Sequence, residues 1–131
     1  EPQRITAGLI VETKNGNSPK ALISVSPEDV VSEALAKMNE AAITQIPVLD
    51  EENRSVGSIS EARVLTKLLA DRELMNAKVS EVMDKGFPIV EVDTSLAEIK
   101  QKLLRSPAVL IEDFKRITAI ITRSDVLDLQ K

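Results

Sequence analysis

The chain has 131 residues, 43% hydrophobic and 29% charged, which places it with ordinary soluble globular domains long enough to bury a sizeable core. It holds no cysteine and no histidine, so disulfides, thiolate or imidazole metal sites, and Cys–His or Ser–His nucleophile pairs are excluded. A formal net charge of −4 without any Lys/Arg cluster argues against nucleic acid as a partner, no apolar run reaches the roughly 18 residues of a membrane span, and the missing cysteine fits a reducing, cytoplasmic compartment.

The sequence opens on Glu1 rather than Met and carries no signal peptide, which favours a piece of a longer protein with a further domain upstream. Residues 4–14, RITAGLIVETK, are apolar enough to pack and run into NGNSP, a turn-rich linker. Phe87 and Phe114 are the aromatic residues, so the core is expected to be aliphatic.

From there the chain repeats itself. LISVSPEDVVSEALAKM (22–38) aligns with FPIVEVDTSLAEIKQKL (87–103), pairing Val25 with Val90, Val31 with Leu96, Ala34 with Ile99 and Met38 with Leu103. IPVLD (46–50) aligns with AVLIE (108–112), and SVGSISEARVL (55–65) with ITAIITRSDVL (117–127). The second copy has lost three residues between its first helix and next strand, and both registers survive the deletion.

Each copy reads strand, helix, strand, strand, helix. Val31, Ala34, Leu35 and Met38 fall on one helical face, and SPED ahead of them offers Ser26 as N-cap, Pro27 at the first helical position and Asp29 near the amino end. QIPVLD and SVGSIS are β-rich runs around EENR, a polar gap suited to a hairpin. Val64, Leu65, Leu68 and Leu69 form the apolar stripe of the next helix. KVSEVMD (78–84) is a short amphipathic piece ahead of copy two, so each copy is expected to have its own lead-in. In copy two Leu96, Ile99 and Leu103 repeat the helical face, with Lys100 outside it. The expected division is a lead-in over 1–17, repeat one over 18–71, a connector over 72–86 and repeat two over 87–131.

The phrase ITRSD holds Thr122 and Asp125 at the spacing of a helix capping box, which accounts for both residues without a ligand. There Thr122 Oγ1 would accept a backbone N–H, and Asp125 would sit at the positive end of the helix dipole. The same helix mouth can also receive an anion or a ribose. Glu28/Asp29 and Glu51/Glu52 are carboxylate pairs, but they lie in cap and turn positions. With no P-loop and no glycine-rich nucleotide fingerprint, the domain is expected to be non-catalytic.

The ordered set VSPEDVVSEALAKMNEAAITQIPVLDEENRSVGSIS, VMDKGFPIVEVDTSLAEI and ITAIITRSDVL resembles a tandem CBS-domain pair, or Bateman module, over about residues 18–131. ALISVS, AITQIPVLD, SVGSISE and KVSEVMDKGFPIVEVDTSLAEI further resemble the regulatory tail of cystathionine β-synthase-like pyridoxal-phosphate enzymes. The resemblance implies an α/β (α+β) fold of two β-α-β-β-α repeats packed as a pseudo-twofold pair, commonly dimerising. It also implies a regulatory role, exerted on an upstream catalytic domain through an adenosine-containing ligand (AMP, ADP, ATP or S-adenosylmethionine) held between the repeats.

By that resemblance Asp125 takes the ribose, with Thr122 and Ser124 beside it, although Ala119 stands where the family pattern has glycine. The base would meet Ala21, Leu22, Ile43, Thr44, Gln45, Ile46 and Pro47 from copy one and Ile120 from copy two. The twin slot would use Ser60, Phe87, Pro88, Pro107 and Ala108, but has Arg63 in place of the aspartate. Guanidinium is donor-only and cannot accept from ribose hydroxyls, so one site per chain is expected, at Asp125. Arg63 could meet a phosphate, pair with Glu61 or stand solvated. With Arg123 as the one basic residue in the phrase, AMP or S-adenosylmethionine fits better than ATP. The competing reading is a ligand-free pair that serves dimerisation or autoinhibition of another enzyme or a transporter.

Overall fold

The computed structural model describes residues 4–16 and 22–129, which divide into two compact units. One is contiguous, residues 23–86; the other joins residues 1–22 to 87–131. Its elements mix helix and strand: α1 (Ala7–Asn15), α2 (Val31–Ala41), β1 (Gln45–Leu49), β2 (Ser55–Ser60), α3 (Glu61–Ala70), β3 (Ile89–Glu91), α4 (Leu96–Leu103), β4 (Ala108–Asp113), β5 (Arg116–Thr122) and α5 (Arg123–Asp128).

In the contiguous unit, the helical face read from the sequence is the buried one. Val31, Ala34 and Met38 of α2 are 0–2% exposed and pack with Ile46, Val48, Ile59, Val64 and Leu68. Each such aliphatic side chain contributes about 1.5–3 kcal/mol when fully buried. The α3 stripe is only half buried: Leu65 and Leu69 face outward at 46% and 87% exposure.

The start of α2 differs from the expectation. Ser26 does not cap it; its Oγ accepts from the Glu28 N–H, and its own N–H donates to Asp29 Oδ2, closing a local turn. The backbone of 27–31 is then committed elsewhere. Val79 N–H donates to Asp29 O, Ser80 N–H to Pro27 O and Val31 N–H to Ala77 O. The helix therefore begins only at Val31. The expected first strand of copy one is likewise reduced to a single parallel bridge, Val25 to Val48.

β1 and β2 form the anticipated hairpin around EENR, with Asp50 Oδ1 accepting from the Glu52 and Arg54 N–H groups. In the second unit the sheet runs β3-β4-β5, with β3 parallel and β5 antiparallel to β4. Ile99, Leu103, Val109, Ile111, Ile121 and Val126 form its core. Ser95 caps α4 by accepting from the Glu98 N–H.

The lead-ins exchange places. α1 packs Ala7 and Ile10 into the core of copy two, and the Ala7 and Gly8 N–H groups, left unpaired by the helix start, donate to Thr94 O and Val92 O. Val79 and Val82, from the piece preceding copy two, lie in the core of copy one. Each lead-in thus completes the copy it does not adjoin, which corrects the expectation that each serves its own.

The β4–β5 hairpin turns on Phe114 and Lys115, at φ of 51° and 64°. Two successive left-handed residues make the twist a two-residue hairpin needs, a conformation that suits Asn-Gly. Replacing the pair, Phe114→Asn with Lys115→Gly, is expected to stabilise the chain by about 1 kcal/mol. Chemical denaturation reads the change directly, and an unchanged midpoint contradicts it.

Candidate functional site

The strand-to-helix mouth of copy two is built by β5 delivering Thr122 to the start of α5. Ile121 fixes the register from the core, opposite Val109. Asp125 then folds back, and its Oδ2 accepts from the Thr122 N–H at 2.8 Å and from Thr122 Oγ1 at 3.1 Å. Thr122 and Asp125 thus close the capping box read from the sequence, and the Thr122 hydroxyl also donates to the carboxylate. Ser124 is exposed, its Oγ 3.1 Å from Thr122 Oγ1. Asp125 Oδ1 has no partner among the described residues, and the side chain is 15% exposed.

Two basic residues behave differently from what proximity in sequence suggests. Arg123 donates from Nε to Leu103 O at 2.8 Å, tying α5 to the end of α4. The cation that does reach the mouth is Lys14 of α1, whose Nζ lies 2.8 Å from Asp125 Oδ2 and 2.9 Å from Ile120 O. Lys14 and Asp125 are 111 residues apart, so no local pattern announces the pair. Ile120 is half-buried opposite Leu110.

The residues expected to receive a base lie mostly in the contiguous unit. Thr44 is exposed, with its carbonyl accepting from the Glu61 N–H. Ile43 is half-buried against the core, and Gln45 Oε1 accepts from Ser60 Oγ at 2.6 Å. Pro47 is buried, and Ile46 is sealed in the core at 0% exposure, a packing role. Leu22 is half-buried and falls in the other unit; Ala21 lies outside the described residues.

At the corresponding mouth of copy one, Ser60 is buried, and Arg63 is solvated, its side chain 67% exposed, yet it pairs with Asp84 rather than with Glu61. Its guanidinium grips Asp84, with Nε to Oδ2 at 2.9 Å and Nη2 to Oδ1 at 3.2 Å. Lys67 Nζ joins at 3.3 Å from Asp84 Oδ1 and also donates to Val82 O. The remaining twin-slot residues belong to the other unit, with Phe87 and Ala108 buried and Pro88 and Pro107 half-buried. Sequence reading missed Asp84, because the amphipathic pattern of KVSEVMD gives that residue no role of its own.

The two mouths thus carry ion pairs of opposite polarity. In one the helix supplies the acid and the lead-in the base; in the other the roles reverse. The hydrogen bond from Arg63 holds the Asp84 carboxyl below its usual range, with burial opposing and Lys67 assisting. A depressed folded-state pKa means that the unfolded chain takes up the proton first as pH falls. Stability from Asp84 is therefore complete above its unfolded pKa of about 3.9 and lost as pH drops through the lower folded value. Asp84→Asn should lower Tm by a few degrees at pH 7, and the gap to wild type should narrow by pH 3. An equal gap at both pH values contradicts the assignment.

Among the described residues no group of carboxylates could hold a metal ion, and no helix is long and apolar enough to cross a membrane.

Comparison with known proteins places this geometry. The CBS domain matches residues 19–70 and again 79–131. The chain is 32% identical over 117 residues to inosine-5'-monophosphate dehydrogenase of Methanocaldococcus jannaschii, covering 86% of this chain but spanning only 22% of that enzyme's length. A CBS-domain-containing protein of Agrobacterium tumefaciens superposes with a TM-score of 0.82 at 17% identity, over 96% of this chain and 93% of that one. CBSX2, solved in complex with AMP, superposes with a TM-score of 0.70 at 24% identity, over 83% and 87% of the two chains. With two CBS matches across most of its length, the chain belongs to the CBS-domain family and is a tandem pair of these regulatory, non-catalytic domains.

Proposed function

We propose that the pair binds an adenosine-containing small molecule through Asp125 and that occupancy controls an attached or associated enzyme. The observation that carries the reading is the Asp125 carboxylate, held in place by the Thr122 N–H with Oδ1 open. A ribose presents two adjacent hydroxyl donors, and an ionised carboxylate is acceptor-only. Thr122 and Ser124 add hydroxyls at the same mouth, and the AMP complex of CBSX2 supports this class of ligand. The family resemblance assigns the base to Ile43, Thr44, Gln45 and Pro47 and to Ile120. At the equivalent position of copy one Arg63 is a donor and cannot accept from a ribose, and it already holds the Asp84 carboxylate. With Arg123 tied to Leu103 O and Lys14 the sole cation described at the Asp125 mouth, AMP or S-adenosylmethionine suits it better than ATP, whose phosphates call for several converging donors.

The controlled enzyme is a cystathionine β-synthase-like lyase on the strength of the segments quoted above, while the dehydrogenase match supplies a second type of parent. Calorimetry with AMP, ADP, ATP and S-adenosylmethionine tests the ligand; no heat and no melting shift at millimolar concentration would sink the sensor reading. A second reading, a ligand-free pair that dimerises, has its own observation: Leu65 and Leu69 of α3 and Leu127 of α5 are exposed apolar residues. Sedimentation of the same sample separates a dimer from a monomer.

A further inference from the structure

We infer that Lys14 is a latch that competes with the ribose for Asp125, so that ligand entry frees the last turn of α1. The inference rests on the ribose reading above and adds its coupling to the lead-in.

Asp125 Oδ2 already takes three donors, the Thr122 N–H, Thr122 Oγ1 and Lys14 Nζ, which fills its lone-pair directions. Oδ1 can take one ribose hydroxyl, but chelation of the diol by both oxygens requires one of those donors to leave. The two Thr122 bonds are local, fixed by the turn into α5. Lys14 arrives from a distant segment on a flexible four-carbon stem with its side chain 30% exposed, and is the donor able to move.

α1 is also built to loosen at that end. Its buried anchors, Ala7 and Ile10, lie in the first half and Val11 packs partly buried at the middle, while Glu12 and Thr13 are exposed and Gly16 ends the helix at φ 64°. The hydrogen bonds that tie the last turn across to β5 and α5 are those of Lys14 to Ile120 O and Asp125. A partly exposed pair of this kind is weak enough for a ligand to displace. Losing it lets the last turn fray while the first half stays docked, so occupancy is read out at the lead-in.

The test uses calorimetry with adenosine and AMP, together with amide hydrogen exchange across α1, on the full chain. Adenosine is neutral and isolates the ribose from any attraction between Lys14 and phosphate. Lys14→Met, which keeps the aliphatic stem, should bind adenosine about two- to fivefold more tightly than wild type, and Lys14→Arg should bind like wild type. Saturating adenosine should speed exchange in the last turn of wild-type α1, to the rate of ligand-free Lys14→Met, without affecting the first turn. Equal or weaker adenosine binding by Lys14→Met, or slower exchange on ligand addition, overturns the latch while leaving the ribose reading intact. Binding that is insensitive to Asp125→Asn, or absent from wild type and Lys14→Met alike, overturns the ribose reading and the competition with it.

Discussion

Asp125→Ala is expected to weaken the proposed AMP binding by about 1.5–3 kcal/mol, the range of a hydrogen bond to a charged group, or roughly ten- to more than a hundredfold in Kd. The size follows from what the substitution removes. Oδ1 has no partner among the described residues, and Oδ2 holds the strand-to-helix turn in place through the Thr122 N–H. Alanine would delete the proposed ribose acceptor and free the turn, so affinity should fall even for a ligand that keeps its base contacts. Asp125→Asn separates the two effects, since an amide oxygen can still accept from Thr122 while the charge is gone. Calorimetry on both variants checks this, and an Asp125→Ala Kd within a factor of two of wild type refutes the ribose role. Arg63→Ala serves as the control: it should leave AMP affinity unchanged, because its guanidinium is committed to Asp84 in the contiguous unit.

Gly57→Ala is expected to cost about 1–3 kcal/mol of stability, a fall in Tm of roughly 5 °C or more. Gly57 sits in β2 opposite Val48, and a Cβ there would meet the Met83 thioether and come within 3.0 Å of the Asp84 carbonyl oxygen. Met83 can rotate away. The Asp84 carbonyl cannot yield so easily: it accepts from the Ser58 N–H at 2.9 Å, while the Asp84 N–H returns a bond of the same length to Ser58 O. Ser58 Oγ donates to Lys85 O, fastening the next residue as well. Relief of the clash means displacing residues 83–85 from β2, and with them the carboxylate that Arg63 and Lys67 share. Denaturant titration of Gly57→Ala gives the number. A loss below about 0.5 kcal/mol would show that the strand tolerates the methyl group and that the close approach is not what requires glycine.

Sequence periodicity located what local physics determines. Val31, Ala34 and Met38 were readable as a buried face because a helix of that phase places them together, and Ile99 with Leu103 repeats the pattern. The EENR hairpin was readable because Asp50 closes its own turn. Misreadings came where distant segments decide. Ser26 and Asp29 look like a helix start, yet residues 77–80 take up the backbone groups that helix would need. Leu65 and Leu69 continue the stripe of Val64 and Leu68 in sequence, but α3 turns only half of it to the core. At the site, Thr122 and Asp125 were legible as a pair with two uses. Lys14 was not, being held to Asp125 by a contact that no spacing rule encodes. Arg63 was recognised as the departure from its twin, but Asp84, the residue that occupies it, was not.

The exchange of lead-ins sets an order of events during synthesis. Residues 23–86 include every segment of their own core, so that unit can close once Gly86 has emerged from the ribosome. α1 is made earlier, but the residues that bury Ala7 and Ile10 lie beyond residue 87, and Lys14 cannot find Asp125 until α5 has been made. α1 precedes that unit in the chain and is nonetheless among the last segments to dock, and its closure requires contacts across about a hundred residues, which makes it a slow step.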